Sequence, residues 1–160
     1  MILLIELITL CAVFSLACFA DTGTDDKNLK SYPSYPIEVQ NRIKDIAKYQ
    51  GRYKEDSKAA AFLSNFLFFS VILFVFGLFV REQSFAHNFL RLSILGQGLN
   101  LFDLLVIDLI WWRNTKRIRL AKIPNAGLYQ NPEKHIEAFI RAFVMYLLIA
   151  LIDGYLLTLL

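Results

Sequence analysis

The sequence predicts an all-α, polytopic membrane protein: four transmembrane helices in a bundle, with a cytoplasmic basic amphipathic segment. Three observations predict it. First, the apolar residues of this 160-residue chain gather into four long runs rather than spreading evenly. Second, each run has the length of a membrane helix, since roughly 20 residues at ~1.5 Å rise cross ~30 Å of hydrocarbon. None alternates as barrel strands of ~9–11 residues would, and lipid admits only helices or closed barrels. Third, Lys and Arg concentrate in two of the intervening loops. Composition agrees: 56% hydrophobic, 14% aromatic and 19% charged residues exclude a disordered chain, and two Cys exclude a disulfide scaffold.

The first span, about 2–20, is apolar except for Glu6, Thr9 and Ser15. A signal peptide begins with basic residues, yet none precedes Lys27, so this run reads as a retained helix. Cleavage near Cys18 or Ala20 stays open as the alternative. Cys11 and Cys18 lie about 10 Å apart along the helix and cannot bridge. Within loop 21–58, Asp21 to Pro36 reads as a flexible connector, with Tyr32-Pro33-Ser34-Tyr35-Pro36 favouring extended backbone. From Ile37 to Lys58, apolar residues such as Ile43, Ile46 and Ala47 recur at helical spacing. Arg42, Lys44, Lys48, Arg52, Lys54 and Lys58 lie largely elsewhere. This segment reads as a solvated extension of the second span, or as a basic helix lying on an anionic membrane surface. Asp45, Glu55 and Asp56 dilute its charge, which argues against nucleic acid.

The second span, about 59–80, carries no charge and seven of the fourteen Phe. An outer loop, 81–92, leads to the third span, about 93–112, which ends on Trp111 and Trp112 where an interface is expected. Loop 113–137 opens with the basic residues Arg113, Lys116, Arg117 and Arg119, read as topology anchors or contacts to acidic groups at the inner face. Asn131-Pro132 should start the fourth helix, whose span is about 138–160. Eight basic residues fall in 21–58, two in 81–92 and six in 113–137. The positive-inside rule then places the first and third loops in the cytoplasm and both termini outside.

Ionisable residues inside spans cost at least ~2.5 kcal/mol near the centre and mark candidate sites. On an α-helical wheel of the third span, Ser93, Gly96, Gln97, Asn100, Asp103 and Asp108 share an arc of about 140°. Leu99, Phe102, Leu105, Val106, Leu109 and Ile110 occupy the opposite arc and should meet lipid. Depth from the topology suggests an outer carboxylate layer of Glu6, Asp103 and Asp153. An inner polar layer would join Asn65, Asp108 and Arg141, with Asn65 or Arg141 as the partner of Asp108. Protonatable acids at mid-depth suit proton or cation coupling in transport. Neutral Asp and Asn hydrogen-bonding across helices are the structural alternative.

Other chemistry has little support. No phosphate-binding glycine loop, metal-ligand spacing or cofactor motif is present. His87 and His135 read as interfacial polar residues, and a primary ATPase has no domain here. The expected partners are the lipid bilayer and, beyond it, another membrane subunit or a second copy; nucleic acid is not expected.

The series Asn100-Leu101-Phe102-Asp103, Val106-Ile107-Asp108-Leu109-Ile110-Trp111-Trp112 and Thr115-Lys116-Arg117-Ile118-Arg119 continues with Ile123-Pro124, Tyr129 and Lys134-His135-Ile136. It resembles a group of small uncharacterised bacterial four-helix integral membrane proteins, loosely filed as transporter permeases. The resemblance covers roughly residues 36–160. That group carries Gly-Thr-Glu after the proline, where Asn125-Ala126-Gly127 stands here. It implies a multi-pass protein of unknown activity and little mechanism; together with the intramembrane carboxylates, the leading expectation is a transport-associated, permease-like subunit. Two alternatives stay open: a structural or assembly subunit of a membrane complex, and a membrane-embedded enzyme acting on a lipid or isoprenoid through Asp103, Asp108 and His135.

Overall fold

The computed structural model describes residues 1–53, 55 and 57–160. Lys54 and Asp56, two charges of the basic segment, lie outside them. The chain is 78% helical and has no strand among the described residues. Its helices are α1 (Ile2–Ala20), α2 (Asp25–Lys30), α3 (Ile37–Asp45), α4 (Lys58–Val80), α5 (Phe85–Phe102) and α6 (Glu133–Thr158). A π-helical segment, Asp103–Trp112, continues α5 without a break. Four helices are long and apolar enough to cross a membrane. The residues divide into two compact units.

The apolar unit comprises Met1–Ala12, Asp56–Phe102 and Phe139–Leu160. Ser57 opens α4 by accepting a hydrogen bond from the Ala60 amide at 3.1 Å, the usual N-cap contact. Leu73, Leu92, Leu95 and Ile149 are fully buried, whereas Leu67, Phe68, Val71 and Phe79 are 58–74% exposed. Apolar side chains turned outward in this number suit a lipid environment. Gly154 lets α6 approach α5, because a Cβ there would stand 3.1 Å from the Phe89 amide nitrogen. Such small-residue contacts replace hydrophobic burial as the driving force between membrane helices.

Two expectations for this unit are corrected. The outer loop 81–92 shrinks to residues 81–84, because α5 already begins at Phe85. Its polar residues are satisfied on the spot. The Asn88 side chain accepts from the Glu82 amide at 2.8 Å and donates to the Glu82 carbonyl at 2.7 Å. Arg91 folds back to the Val80 carbonyl and pairs with Glu82 at 2.6 Å. Leu99, assigned to the lipid-facing arc, is instead buried at 1% exposure. Leu105, Val106 and Ile110 of that arc are exposed, as expected.

The polar unit comprises Val13–Glu55 and Asp103–Ala138. Here the predicted connector is folded. Thr24 caps α2, Tyr32–Ser34 forms a 3₁₀ turn, and Leu29, Tyr32 and Tyr35 are buried. They join Val39, Ile43, Tyr49, Ile118, Leu120, Ile123 and Tyr129 in one core. Both alternatives for the basic segment are therefore corrected: α3 ends at Asp45, and its apolar face packs into the unit's own core rather than onto a membrane.

Buried hydroxyls hold this core because each reaches a backbone group that would otherwise be orphaned. Tyr35 donates to the Ile118 carbonyl at 2.6 Å. Tyr129 donates to the Ile123 carbonyl at 3.0 Å and accepts from the Leu120 amide at 3.2 Å. Burial pushes both hydroxyls above the ordinary tyrosine range. Asp25 accepts from the Ala121 amide at 2.9 Å, the Tyr49 hydroxyl at 2.9 Å and Lys48 at 3.2 Å. Burial raises the Asp25 carboxyl, but these hydrogen bonds and the Lys48 charge outweigh it and hold it below the ordinary carboxylate value.

Candidate functional site

The π-helical segment changes which residues share a face. In an α-helix, residues five apart point about 140° away from each other. A π-helix bonds i to i+5 and winds more slowly, which turns residues five apart toward one side, and such stretches recur at functional sites. Asp103 and Asp108 are five apart and lie in this segment. Both line a cavity of about 140 Å³, together with Ile107 and Trp112 of the same segment. Cys18, Asp21, Thr22 and Ser31 complete the described lining. Three carboxylates and two hydroxyls thus face one small space, with no basic side chain among them.

Asp108 has a partner, and it is neither Asn65 nor Arg141. The His135 Nδ1 lies 2.9 Å from its Oδ1. His135 sits in the first turn of α6, which Asn131 opens by accepting from the Glu133 amide at 2.9 Å. The imidazole is 4% exposed, so it is a buried residue rather than an interfacial one. The Asp108 carboxylate can accept from Nδ1, and Nε2 is the nitrogen turned away from it. Nε2 is buried and has no hydrogen-bond partner. The Trp112 ring meets His135 edge to face at 5.8 Å, and its own Nε1 is also buried without a partner. On its other side Trp112 joins the tyrosine core, 5.7 Å from Tyr35. Asn65 and Arg141 are exposed, which removes the predicted inner polar layer.

The remaining candidates take other positions. Gln97 donates to the Phe143 carbonyl at 2.9 Å, and Asn100 to the Phe139 carbonyl at 3.2 Å. These two carbonyls are one turn apart on α6, so the amides tie α5 to α6. Asp153 is 2% exposed and accepts from Ser70 at 2.9 and 3.1 Å. Glu6 is 7% exposed, and neither carboxylate oxygen has a hydrogen-bond partner. Asp103 stands with Asp108 at the cavity, Asp153 with Ser70, and Glu6 without a hydrogen bond.

Of the basic residues, Arg117 works as a staple. Its guanidinium donates to the Phe19 and Thr22 carbonyls at 3.1 and 3.0 Å and lies 3.8 Å over the Phe19 ring. It thereby satisfies carbonyls at and just beyond the C-terminus of α1, where a cation is favoured. Gly23 beside it has φ +107°, and a Cβ there would meet the guanidinium at 2.9 Å. Lys116 is exposed, while Arg113 and Arg119 are half-buried with Nε lacking a partner.

Comparison with protein-family models, with curated proteins and with solved structures finds no match. The class of protein is set by the fold itself: an all-helical chain with four helices long and apolar enough to cross a membrane.

Proposed function

We propose that this chain is a multi-pass membrane protein that serves a transport process, with Asp103 and Asp108 passing a proton through the cavity they share. The observation that carries this reading is that the π-helical segment brings two carboxylates to one small, acid-lined space. Chains of acidic residues in a membrane protein are the usual parts of proton relays. Volume weighs against an enzyme acting on a lipid or isoprenoid. About 140 Å³ holds a few waters, whereas sites for organic ligands take roughly 300 Å³ or more. The side-chain amides of Gln97 and Asn100 and the Ser70–Asp153 pair supply the helix-joining role that the structural alternative gave to neutral Asp and Asn.

In this reading loops 21–58 and 113–137 face the cytoplasm and both termini lie outside, as the loop charges favour. The permease-like character implied by the resemblance fits such a proton-handling subunit. The test is reconstitution into vesicles loaded with a pH-sensitive dye and driven by a potassium diffusion potential. Wild type should acidify or alkalinise the lumen with the sign of the potential. Asp103→Asn and Asp108→Asn should abolish the signal while helicity by circular dichroism is kept. Flux that is unchanged in both variants, or absent from wild type, refutes the reading.

A further inference from the structure

We propose that Asp21 is the entry residue of this cavity: it draws small cations, protons among them, from the aqueous side of the polar unit toward Asp103 and Asp108, and it turns anions away. The proposal rests on the reading that the two carboxylates move a proton, and it adds the route by which one arrives.

Exposure picks out the entrance. Of the described lining residues, Asp21 alone is exposed; Asp103 and Asp108 are half-buried, and Ile107 and Trp112 are buried. Asp21 is the first residue beyond α1, a helix of membrane length, so it stands where hydrocarbon gives way to polar groups. The exposed side chains of the π-helical segment itself are Leu105, Val106 and Ile110. A charge has no favourable path over them. Asp21 supplies the polar path instead.

The rim is braced on both sides of this carboxylate. Arg117 holds the Phe19 and Thr22 carbonyls, which flank Asp21 in the chain. The Thr22 hydroxyl donates to the Phe19 carbonyl at 3.1 Å and accepts from the Arg117 Nε at 3.3 Å. Beyond it, the Gly23 amide donates to the Asn28 side chain at 3.2 Å, which in turn donates to the Arg117 carbonyl at 2.9 Å. The guanidinium is directed at those carbonyls and the Phe19 ring, and it is not part of the described lining. Three carboxylates without a basic side chain among the lining residues make the potential at the entrance negative. Walls of low dielectric concentrate such a field, which raises the local concentration of cations.

Ser31 reports on the entrance, because it lines the same cavity and lies outside the long apolar helices. The chain has two Cys. Cys11→Ala and Cys18→Ala with Ser31→Cys leave one thiol, in the full chain in detergent micelles. It is labelled with two methanethiosulfonates of similar size, one bearing trimethylammonium and the other sulfonate. Each rate is divided by that reagent's rate with mercaptoethanol. Both attack the same thiolate, so their ratio cancels its reactivity and reads the potential at the entrance. In ~10 mM salt, where screening reaches ~30 Å, the cationic reagent should be favoured about threefold or more. In 1 M salt, where screening reaches only ~3 Å, the preference should vanish. Asp21→Asn should remove most of the low-salt preference, and Asp21→Glu should keep it. Asp45→Asn, at an exposed carboxylate that does not line the cavity, should leave it unchanged. A thiol inert to both reagents, an absent preference, or one of full size in Asp21→Asn overturns the proposal. If Asp21→Asn loses its helicity, Asp21→Ser decides by the same criterion. Vesicle flux without a charge preference at Ser31→Cys overturns the role of Asp21 alone. A preference that Asp21→Asn removes, in a chain that carries no flux, upholds the entrance and overturns the transport reading.

Discussion

Tyr129→Phe is the sharpest test that residues 21–55 and 113–132 are a folded unit rather than two loops. Tyr129 is fully buried. Its hydroxyl serves two backbone groups at once, the Ile123 carbonyl at 3.0 Å and the Leu120 amide at 3.2 Å. Phenylalanine keeps the ring but strands both. Each stranded buried group costs ~1–3 kcal/mol, so the substitution should cost about 2–4 kcal/mol after relaxation. That is a large share of a typical domain stability of ~5–15 kcal/mol. Tyr53→Phe is the control: Tyr53 stacks on Tyr32 at 4.5 Å, and phenylalanine preserves that contact. Its effect should stay within about 0.5 kcal/mol. Denaturant unfolding in micelles, followed by tryptophan emission, reads the right place, because Trp112 belongs to the same core. Equal midpoints for the two variants would refute the folded unit and return both segments to loops.

Asp25 predicts the acid sensitivity of the same unit. Its carboxyl is held below the ordinary value in the folded state, so its contribution is complete above the unfolded value of about 3.9 and is lost as pH falls through the folded one. Asp25→Asn should lower the unfolding midpoint at neutral pH and flatten its fall in acid; a variant as acid-sensitive as wild type would contradict this. Gly23→Ala places an L residue at φ +107° against a guanidinium pinned by the Phe19 and Thr22 carbonyls. It should cost about 1–3 kcal/mol, measured by thermal unfolding with Gly51→Ala as comparison, since that glycine also has positive φ but open space around it. Asn100→Leu should cost only about 0.6 kcal/mol, the mean for a polar contact between membrane helices. Gly154→Leu should be far worse, because its Cβ meets Phe89 backbone that cannot turn aside; detergent thermal stability separates the two.

The four apolar helices were legible because hydrocarbon selects directly on composition over about 20 residues. The start of α5 was not, since Asn88 and Arg91 look like loop residues until Glu82 and the Val80 carbonyl are seen to satisfy them. The polar unit was the larger loss, and tyrosine is the reason. Tyr32, Tyr35, Tyr49 and Tyr129 supply apolar bulk with a polar tip, so hydropathy counts them as neither core nor surface. For Tyr32, Tyr35 and Tyr49 the partners Ile118, Leu120, Ile123 and Tyr129 come from a second segment more than 60 residues further along, beyond the reach of any local periodicity.

The site was half legible, and the missing half has a definite cause. Asp103 and Asp108 stood out as charges in an apolar span, but a wheel of 3.6 residues per turn spread them across an arc of about 140°. That made a broad polar stripe out of two carboxylates that line one cavity. His135 was read as an interfacial polar residue and named with the aspartates only in the enzyme alternative, because an isolated histidine after a turn has no spacing to be read against. Only the fold brings it to Asp108. Three ordinary expectations fail together within this short stretch of structure: the α-helical period, the avoidance of buried charge, and the pairing of buried polar atoms at His135 Nε2 and Trp112 Nε1. Glu6 breaks the last two as well, but no cavity-lining carboxylate or imidazole stands with it. Local rules tend to fail where function overrides them. The altered period and the grouped carboxylates meet at one cavity that Trp112 also lines, and His135 reaches it only through Asp108, so the proposed proton path is tested first at these residues.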